Sequence, residues 1–255
     1  MADFERVELD GVPFARITRH ELVEHLLAES DAGRGGWIIT ANVDYLQRFV
    51  TEPAGSAVYP GADLIVADGM PLLWAAKLRG TPLPDRVAGS DLVWLIAEGA
   101  ARRRRSLYLL GGNPGAAEAA ARALSARSPE LRLAGCSSPR VGNPPTPAQL
   151  EEIRSELAAR SPDIVYVAFG APKEELLIDA LRPHFPHTWW IGVGISLSFI
   201  SGEVKRAPRW MQRAGLEWVH RLSQEPRRLG PRYLTRNLRF AIGLLLRSAF
   251  SSEPG

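Results

Sequence analysis

Residues 63–71 read DLIVADGMP. Leu64, Ile65 and Val66 are apolar at consecutive positions instead of alternating with polar ones. A strand apolar on both sides is buried on both faces, the pattern of a parallel sheet covered by helices. The run ends on a carboxylate, Asp68, and Gly69 follows at once. The same form recurs in WIIT (37–40), SLYLL (106–110), LRLAG (131–135), DIVYVAFG (163–170) and WWIGVG (189–194). All but the last precede helical patterns, so the alternation predicts an α/β, Rossmann-like fold with a mostly parallel sheet and helices on both faces. After about residue 200 the strand signal stops, and arginine, tryptophan and proline take over. The expected division is an α/β domain over 1–200 and a basic helical C-terminal appendage over 201–255.

The chain of 255 residues is 45% hydrophobic and 23% charged, an ordinary globular composition with enough length for a sizeable core. Cys136 is the single cysteine, so no intrachain disulfide or cysteine metal cluster can form. The start, MADFERVELDG, carries acids and lacks the apolar stretch of a signal peptide. WWIGVGISLSFI (189–200) and AIGLLL (241–246) fall short of the ~18 apolar residues a spanning helix needs. The net charge of +3 conceals a division. Residues 205–247 hold Lys205 and ten arginines against Glu217 and Glu225, a balance of +9, which leaves −6 for the remainder. Such asymmetry predicts an anionic partner.

In open parallel sheets ligands sit beyond the carboxyl ends of the strands. TANVD (40–44) offers Thr40 and Asn42 as uncharged hydrogen-bonding groups, with Asn42 equally suited to cap the next helix. Asp44 reads as a first-turn acid. Asp68 is either a helix cap or a carboxylate with space beside it for a ligand. DRVAGSD (85–91) sets Arg86, by itself a candidate for simple solvation, ahead of a Ser90/Asp91 pair placed to cap a helix. GGNPG (111–115) follows a strand and opens a helix; Gly111, Gly112 and Asn113 can admit a phosphate or merely make a tight turn. In GAPKEE (170–175), Gly170 and Lys173 suit a phosphate. Glu174 and Glu175 suit a ribose or sugar hydroxyl, or a helix first turn. Glu174 is expected in a surface loop at the helix start. Thr146, Pro147 and Gln149 form a capping-box start. No DxD, GxSxG, HExxH or GxGxxG motif occurs, and His184 and His187 read as surface residues. The missing dinucleotide fingerprint ranks an oxidoreductase low. A nucleic-acid module built on the basic tail would leave the α/β body without a purpose.

Seven stretches in this order resemble the WecG/TagA/CpsF family of bacterial glycosyltransferases: TANVDYL, VADGMPLLWAAKLRG, RVAGSDL, LYLLGGNPGAAEAAA, PDIVYVAFGAPKEE, IGVGISLSFISGEVKRAPRWM and GLEWVHRLSQEPRRLGPRYL. The resemblance covers nearly the whole chain. It implies transfer of a sugar, N-acetylmannosamine-type or glucose-type, from a UDP-sugar to a polyprenyl-diphosphate-linked saccharide in cell-surface polysaccharide synthesis. It implies inversion, no cofactor and no bound metal, and a place at the cytoplasmic face of the membrane; a homo-oligomer is compatible with it. The family's catalytic aspartate corresponds to Asp68, its threonine and asparagine to Thr40 and Asn42, and its motif arginine to Arg86. The family's P-K-Q-E stands here as Pro172-Lys173-Glu174-Glu175, so a neutral side chain has become an acid where the donor contact is expected.

The tail carries the remaining expectation. From Pro231, at 100° per residue, Arg232, Arg236, Arg239 and Arg247 share one face and Leu234, Leu238, Ala241 and Leu245 the other. Such a helix either lies on an anionic membrane or packs on the core with its arginines in water. The resemblance, with its lipid acceptor, favours the membrane. Arg206, Arg221 and Arg228, together with Arg232, Arg236 and Arg239, are then candidates for contact with diphosphate or lipid.

Overall fold

A computed structural model of the chain describes residues 4–250. The first three residues of the N-terminal stretch and the last five of the appendage lie outside them. Two short antiparallel strands open the fold, β1 (Arg6–Leu9) and β2 (Val12–Ala15). Their turn is Asp10-Gly11, both at positive φ (48° and 80°), the backbone that a two-residue hairpin needs.

Six strands then build one sheet: β3 (Gly36–Ala41), β4 (Leu64–Ala67), β5 (Ser106–Gly111), β6 (Arg132–Ser137), β7 (Ile164–Ala168) and β8 (Trp189–Gly192). Their order is β4-β3-β8-β7-β5-β6, and every pairing is parallel. The chain builds outward from β3 to β4, crosses to β5 and β6, and returns to fill the centre with β7 and β8. All six carboxyl ends therefore share one edge, which is where such sheets bind ligands.

Alternate strand residues feed two apolar layers. Ile38, Val66, Leu109, Tyr166 and Ile191 face the helices Arg19–Asp31, Gly89–Arg102 and Ala116–Arg127. Ile39, Ile65, Leu110, Val167 and Trp190 face the helices Val43–Thr51, Met70–Leu78, Pro147–Arg160 and Lys173–Leu181. The capping box at Thr146–Gln149 is present as expected. The helix starting at Gly89 has no side-chain cap, because Asp91 is engaged by arginines instead of by its own helix start.

Beyond β8 the described chain is helical, ending in Leu238–Phe250. Among the described residues no helix is long and apolar enough to cross a membrane. The expected arginine face is ion-paired to the body instead of standing free in solvent. Arg232 donates to Asp44 (Nε to Oδ1, 2.6 Å), Arg236 to Glu52 (2.6 Å) and Arg247 to Asp10. Arg232 is half-buried by its pairing, and Arg236, Arg239 and Arg247 stay exposed. The outward side is apolar: Leu234, Leu238, Ile242, Leu246 and Phe250, spaced by four, are all exposed. Leu245 packs on the core, and it and Ala241, expected on the apolar face, line a cavity at the strand ends.

Candidate active site

A cavity of about 490 Å³ opens at the carboxyl ends of β3, β4 and β8 and is roofed by the appendage. Asp68 lies on its lining. The backbone N–H of Asp68 donates to Ala41 O (2.8 Å), continuing the β3–β4 ladder one step past β4, so the carboxylate stands on a rigid base. Val87 N donates to Ala67 O (2.8 Å), which brings Arg86 beside it. Gly69 has an extended backbone (φ −106°) and a Cβ there would meet only ordinary contacts, Asn42 Cβ at 3.5 Å being the nearest. The protein itself does not require glycine at this position, and the space beside Asp68 is left open.

Burial pushes the Asp68 carboxyl up to about 7. Arg86 and Arg206 pull it down, and Glu217 and Asp91 push it up. A carboxyl that titrates near neutrality has the property of a general base. Thr40 is buried and donates to Gly192 O (3.2 Å), tying β3 to β8 under the cavity. Asn42 both caps and lines: its Oδ1 accepts from Asp44 N (2.9 Å) and Tyr45 N (3.3 Å), and no protein bond among the described residues engages its amide nitrogen.

Arg221 and Arg232 reach the cavity from the appendage. Arg232 pairs there with Asp44, whose carboxyl burial would raise; Arg232 and Arg48 override that and hold it below its ordinary range. Arg221 Nε and Asn237 Oδ1 are buried without partners. The cavity is thus polar at the strand ends and apolar towards Trp74, Leu238 and Ile242, which are also exposed on the outer surface.

The other sequence candidates lie elsewhere. Gly111, Gly112 and Asn113 stand at the end of β5, outside the cavity lining. Both glycines have positive φ, and a Cβ at Gly111 would strike Ala168 O at 2.8 Å, so glycine is needed for packing. Asn113 donates to Glu203. Lys173 Nζ donates to Val141 O (2.7 Å), joining the helix start to the loop after β6, near Gly170. Arg206 sits beneath the cavity wall, bonded to Asp91 and Glu217. Arg228 pairs with Glu225, and neither it nor Arg236 nor Arg239 lines the cavity.

The expectation of Glu174 in a surface loop is wrong. Glu174 is fully buried, and Glu175 nearly so. Glu174 Oε2 accepts from the N–H groups of Phe169 (3.3 Å), Gly170 (2.9 Å) and Gly194 (3.2 Å), and Oε1 accepts from the Tyr45 hydroxyl. The turn at Gly170 (φ 73°) leaves these N–H groups facing inward, and the helix start delivers the carboxylate to them. Burial raises the carboxyls of both glutamates. A carboxyl that binds its proton more readily folded than unfolded makes stability fall as pH rises from the ordinary carboxylate range through the raised one. Glu174→Gln keeps an acceptor for the backbone and a donor for Tyr45. It is expected to fold and to flatten that decline, whereas Glu174→Ala strands three N–H groups and should cost ~2 kcal/mol or more. Thermal melts between pH 5 and 9 measure both; a Gln variant as unstable as the Ala variant would contradict this.

Sequence reading missed Tyr45, Glu217, Trp218, Tyr233 and Asn237 as lining residues. Each lies within or just beyond a stretch that carried the family resemblance, but nothing local marks them as functional.

The profile of the Glycosyl transferase WecG/TagA/CpsF family matches residues 7–254. The chain is 32% identical over 210 residues to the N-acetylglucosaminyldiphosphoundecaprenol N-acetyl-beta-D-mannosaminyltransferase of Bacillus spizizenii, covering 80% of this chain and 79% of that protein. It is 28% identical over 219 residues to the protein of the same name from Bacillus subtilis, covering 86% and 83%.

Proposed function

This chain belongs to the Glycosyl transferase WecG/TagA/CpsF family and is a glycosyltransferase, and from that premise we propose that it moves an N-acetylmannosamine-type sugar from a UDP-sugar to an N-acetylglucosamine carried on a polyprenyl diphosphate. The relatives' names supply the donor sugar and the acceptor class. The observation that carries the reading is the carboxyl of Asp68, raised to about 7 on the lining of a cavity that also holds Arg86, Arg221 and Arg232.

The chemistry follows from that arrangement. Asp68 takes the proton of the acceptor hydroxyl as its oxygen attacks the anomeric carbon from the face opposite the UDP, so the configuration inverts. The bond from the anomeric carbon to the UDP oxygen breaks, and the diphosphate gains negative charge. Arg86, Arg221 and Arg232 can balance this charge in a site shielded from water, and the mechanism calls on no metal. Thr40 and Asn42 hold the sugar's hydroxyls beside Asp68. Gly111–Asn113, Gly170 and Lys173, on the same sheet edge, hold the nucleotide. Glu174 influences the donor only through Tyr45 and the ends of β7 and β8.

Residues 201–255 act as an appendage that completes the site and rests on the membrane. The outward stripe supports this, since five exposed apolar residues on one side of a helix have no use in water. Because Arg232, Arg236 and Arg247 are paired with acids, apolar burial contributes more to this contact than charge does. Leu234→Ser, Leu246→Ser and Phe250→Ser combined are expected to weaken sedimentation with phosphatidylglycerol vesicles by at least ~10-fold. Transfer to a short-chain, water-soluble acceptor should be kept. Undiminished sedimentation would remove the stripe from the account.

The function itself is tested by screening UDP-sugars with a short-chain lipid-diphosphate N-acetylglucosamine. Transfer from UDP-N-acetylmannosamine with inversion is the expected result. Failure to transfer from any UDP-sugar would overturn the reading.

A further inference from the structure

One carboxylate stands where an anion-binding cavity should least want it. Glu217 comes from the appendage and lines the cavity alongside Asp68 and Arg86. Its two oxygens are divided between two arginines. Arg86 Nη1 donates to Oε2 at 3.0 Å, and Arg206 Nε donates to Oε1 at 3.1 Å. Arg206 Nη1 continues to Asp91 Oδ1 at 2.5 Å, and Asp91 Oδ2 lies 3.8 Å from Arg86 Nη2. The four side chains close an alternating ring of two cations and two anions. Arg86 and Asp91 come from the α/β body, and Arg206 and Glu217 from the appendage.

The ring is partly buried, with side-chain exposures of 14–24%. Arg19, itself held by Asp85 at 2.6 Å, braces Asp91 from the far side at 3.4 Å. If the cavity needed only positive charge for a diphosphate, a neutral residue at 217 would serve better. The ring's geometry explains the acid. Arg86 reaches the cavity on a loop between the helices Met70–Leu78 and Gly89–Arg102, and a long side chain on a loop has several rotamers to choose from. A carboxylate shared with Arg206 selects one. It also leaves Arg86 Nε without a hydrogen-bond acceptor among the described residues, while Nη2 meets Asp91 only at 3.8 Å, beyond hydrogen-bond reach.

We propose that Glu217 is a positioning residue for transfer: held by Arg206, it fixes Arg86 in the orientation that meets the departing diphosphate beside Asp68. The appendage therefore reaches the chemistry through the body's own arginine as well as through its own. This rests on Asp68 being the base. The charged groups that act on Asp68 are Arg86, Arg206, Glu217 and Asp91. Asp44, Arg221, Arg232 and the phenols of Tyr45 and Tyr233 share the lining. Among these, Glu217 is the acid that raises Asp68 most, so losing its charge moves Asp68 downward.

The test compares kcat/KM against pH for the full-length wild type, Glu217→Gln, Glu217→Asp and Glu217→Ala, with a water-soluble short-chain acceptor so that membrane binding is not read. In Glu217→Gln the acid limb should move to lower pH by roughly half a unit, with kcat reduced several-fold. Glu217→Asp keeps the charge and shortens the reach, so the limb should stay and kcat should fall. Glu217→Ala should lose roughly 100-fold in kcat/KM while binding UDP within a few-fold of wild type. A merely structural role would lower Tm and activity together and leave the limb of Glu217→Gln at its wild-type position, which would overturn the proposal. A variant faster than wild type would overturn it too, by showing that Glu217 competes with the diphosphate. A wild type that transfers no sugar defeats the functional reading instead, so the two failures are distinguishable.

Discussion

Asp68→Asn is expected to lower turnover by roughly 10²–10⁴ while leaving UDP affinity within a few-fold, a rise in the barrier of ~3–5 kcal/mol. Asparagine has the size and nearly the shape of aspartate but cannot accept the acceptor's proton. The loops proposed to hold the nucleotide, Gly111–Asn113 and Gly170–Lys173, lie outside the cavity lining and are untouched by the change. The same variant should be more stable than wild type at neutral and alkaline pH. The folded-state carboxyl titrates at about 7, well above the ~3.9 of an unfolded aspartate. Between those values the native chain holds a proton that the unfolded chain has lost, so wild-type stability falls as pH rises through that window and levels off above it. Asparagine removes the decline. The gap in Tm between variant and wild type should therefore widen from pH 4 to pH 7 and then stay constant. Near-normal turnover, or a constant gap across that range, would separate Asp68 from the role assigned to it.

Removing the appendage is the second large effect. A chain ending at residue 200 should lose transfer altogether, even with a water-soluble acceptor, and still bind UDP. The roof of the cavity goes with it: Arg221, Arg232, Tyr233, Asn237 and the apolar positions of the helix Leu238–Phe250. So does the counter-charge proposed for the leaving diphosphate, which would be worth most where water is excluded. The truncation also uncovers apolar surface now buried by Leu229 and Leu244, so point variants must accompany it. Arg221→Gln should lower kcat by roughly 10-fold or more, because Arg221 lines the cavity with its Nε buried and unpartnered while Nη2 pairs with Glu225 (3.3 Å). Arg232→Gln alone is ambiguous, since it leaves the buried Asp44 with only Arg48. Asp44→Asn combined with Arg232→Gln resolves this. If Arg232 serves only to neutralise Asp44, the double variant regains activity; if it serves the diphosphate, activity stays low. Transfer by the truncated chain would show that the α/β body suffices alone.

Much of this was legible in the sequence, for reasons tied to particular residues. Five of the six sheet strands were recognisable because strands of a sheet covered on both faces are buried on both sides, the edge strand β4 included, so Leu64–Val66 and Ile164–Val167 stand out as unbroken runs; β6, at the other edge, is only partly buried. The hairpin before them was overlooked. Its strands are four residues long, and only Asp10-Gly11 announces it. Asp68, Thr40, Asn42 and Arg86 were found because strand-end polar residues are few and the family motifs mark them. Glu174 was misplaced because a helix first turn next to a loop is usually solvated. Its burial depends on three N–H groups at the ends of β7 and β8 that no local pattern reveals. The tail shows the same limit. A helical wheel separates arginines from leucines but cannot say which side turns inward. That is decided by distant partners: Asp10, Asp44 and Glu52, 184–237 residues away in sequence, pair with the arginines, and Leu244 and Leu245 pack against the core.

The most direct test of the account is the pH dependence of kcat/KM for transfer from UDP-N-acetylmannosamine to a short-chain lipid-diphosphate N-acetylglucosamine, measured for wild type and Asp68→Asn between pH 5 and 9. The account predicts that wild-type activity rises with pH through an inflection near 7, where Asp68 loses its proton, and that Asp68→Asn is slow and lacks this inflection. A variant that keeps the inflection would contradict the account, since some other group would then be taking the proton.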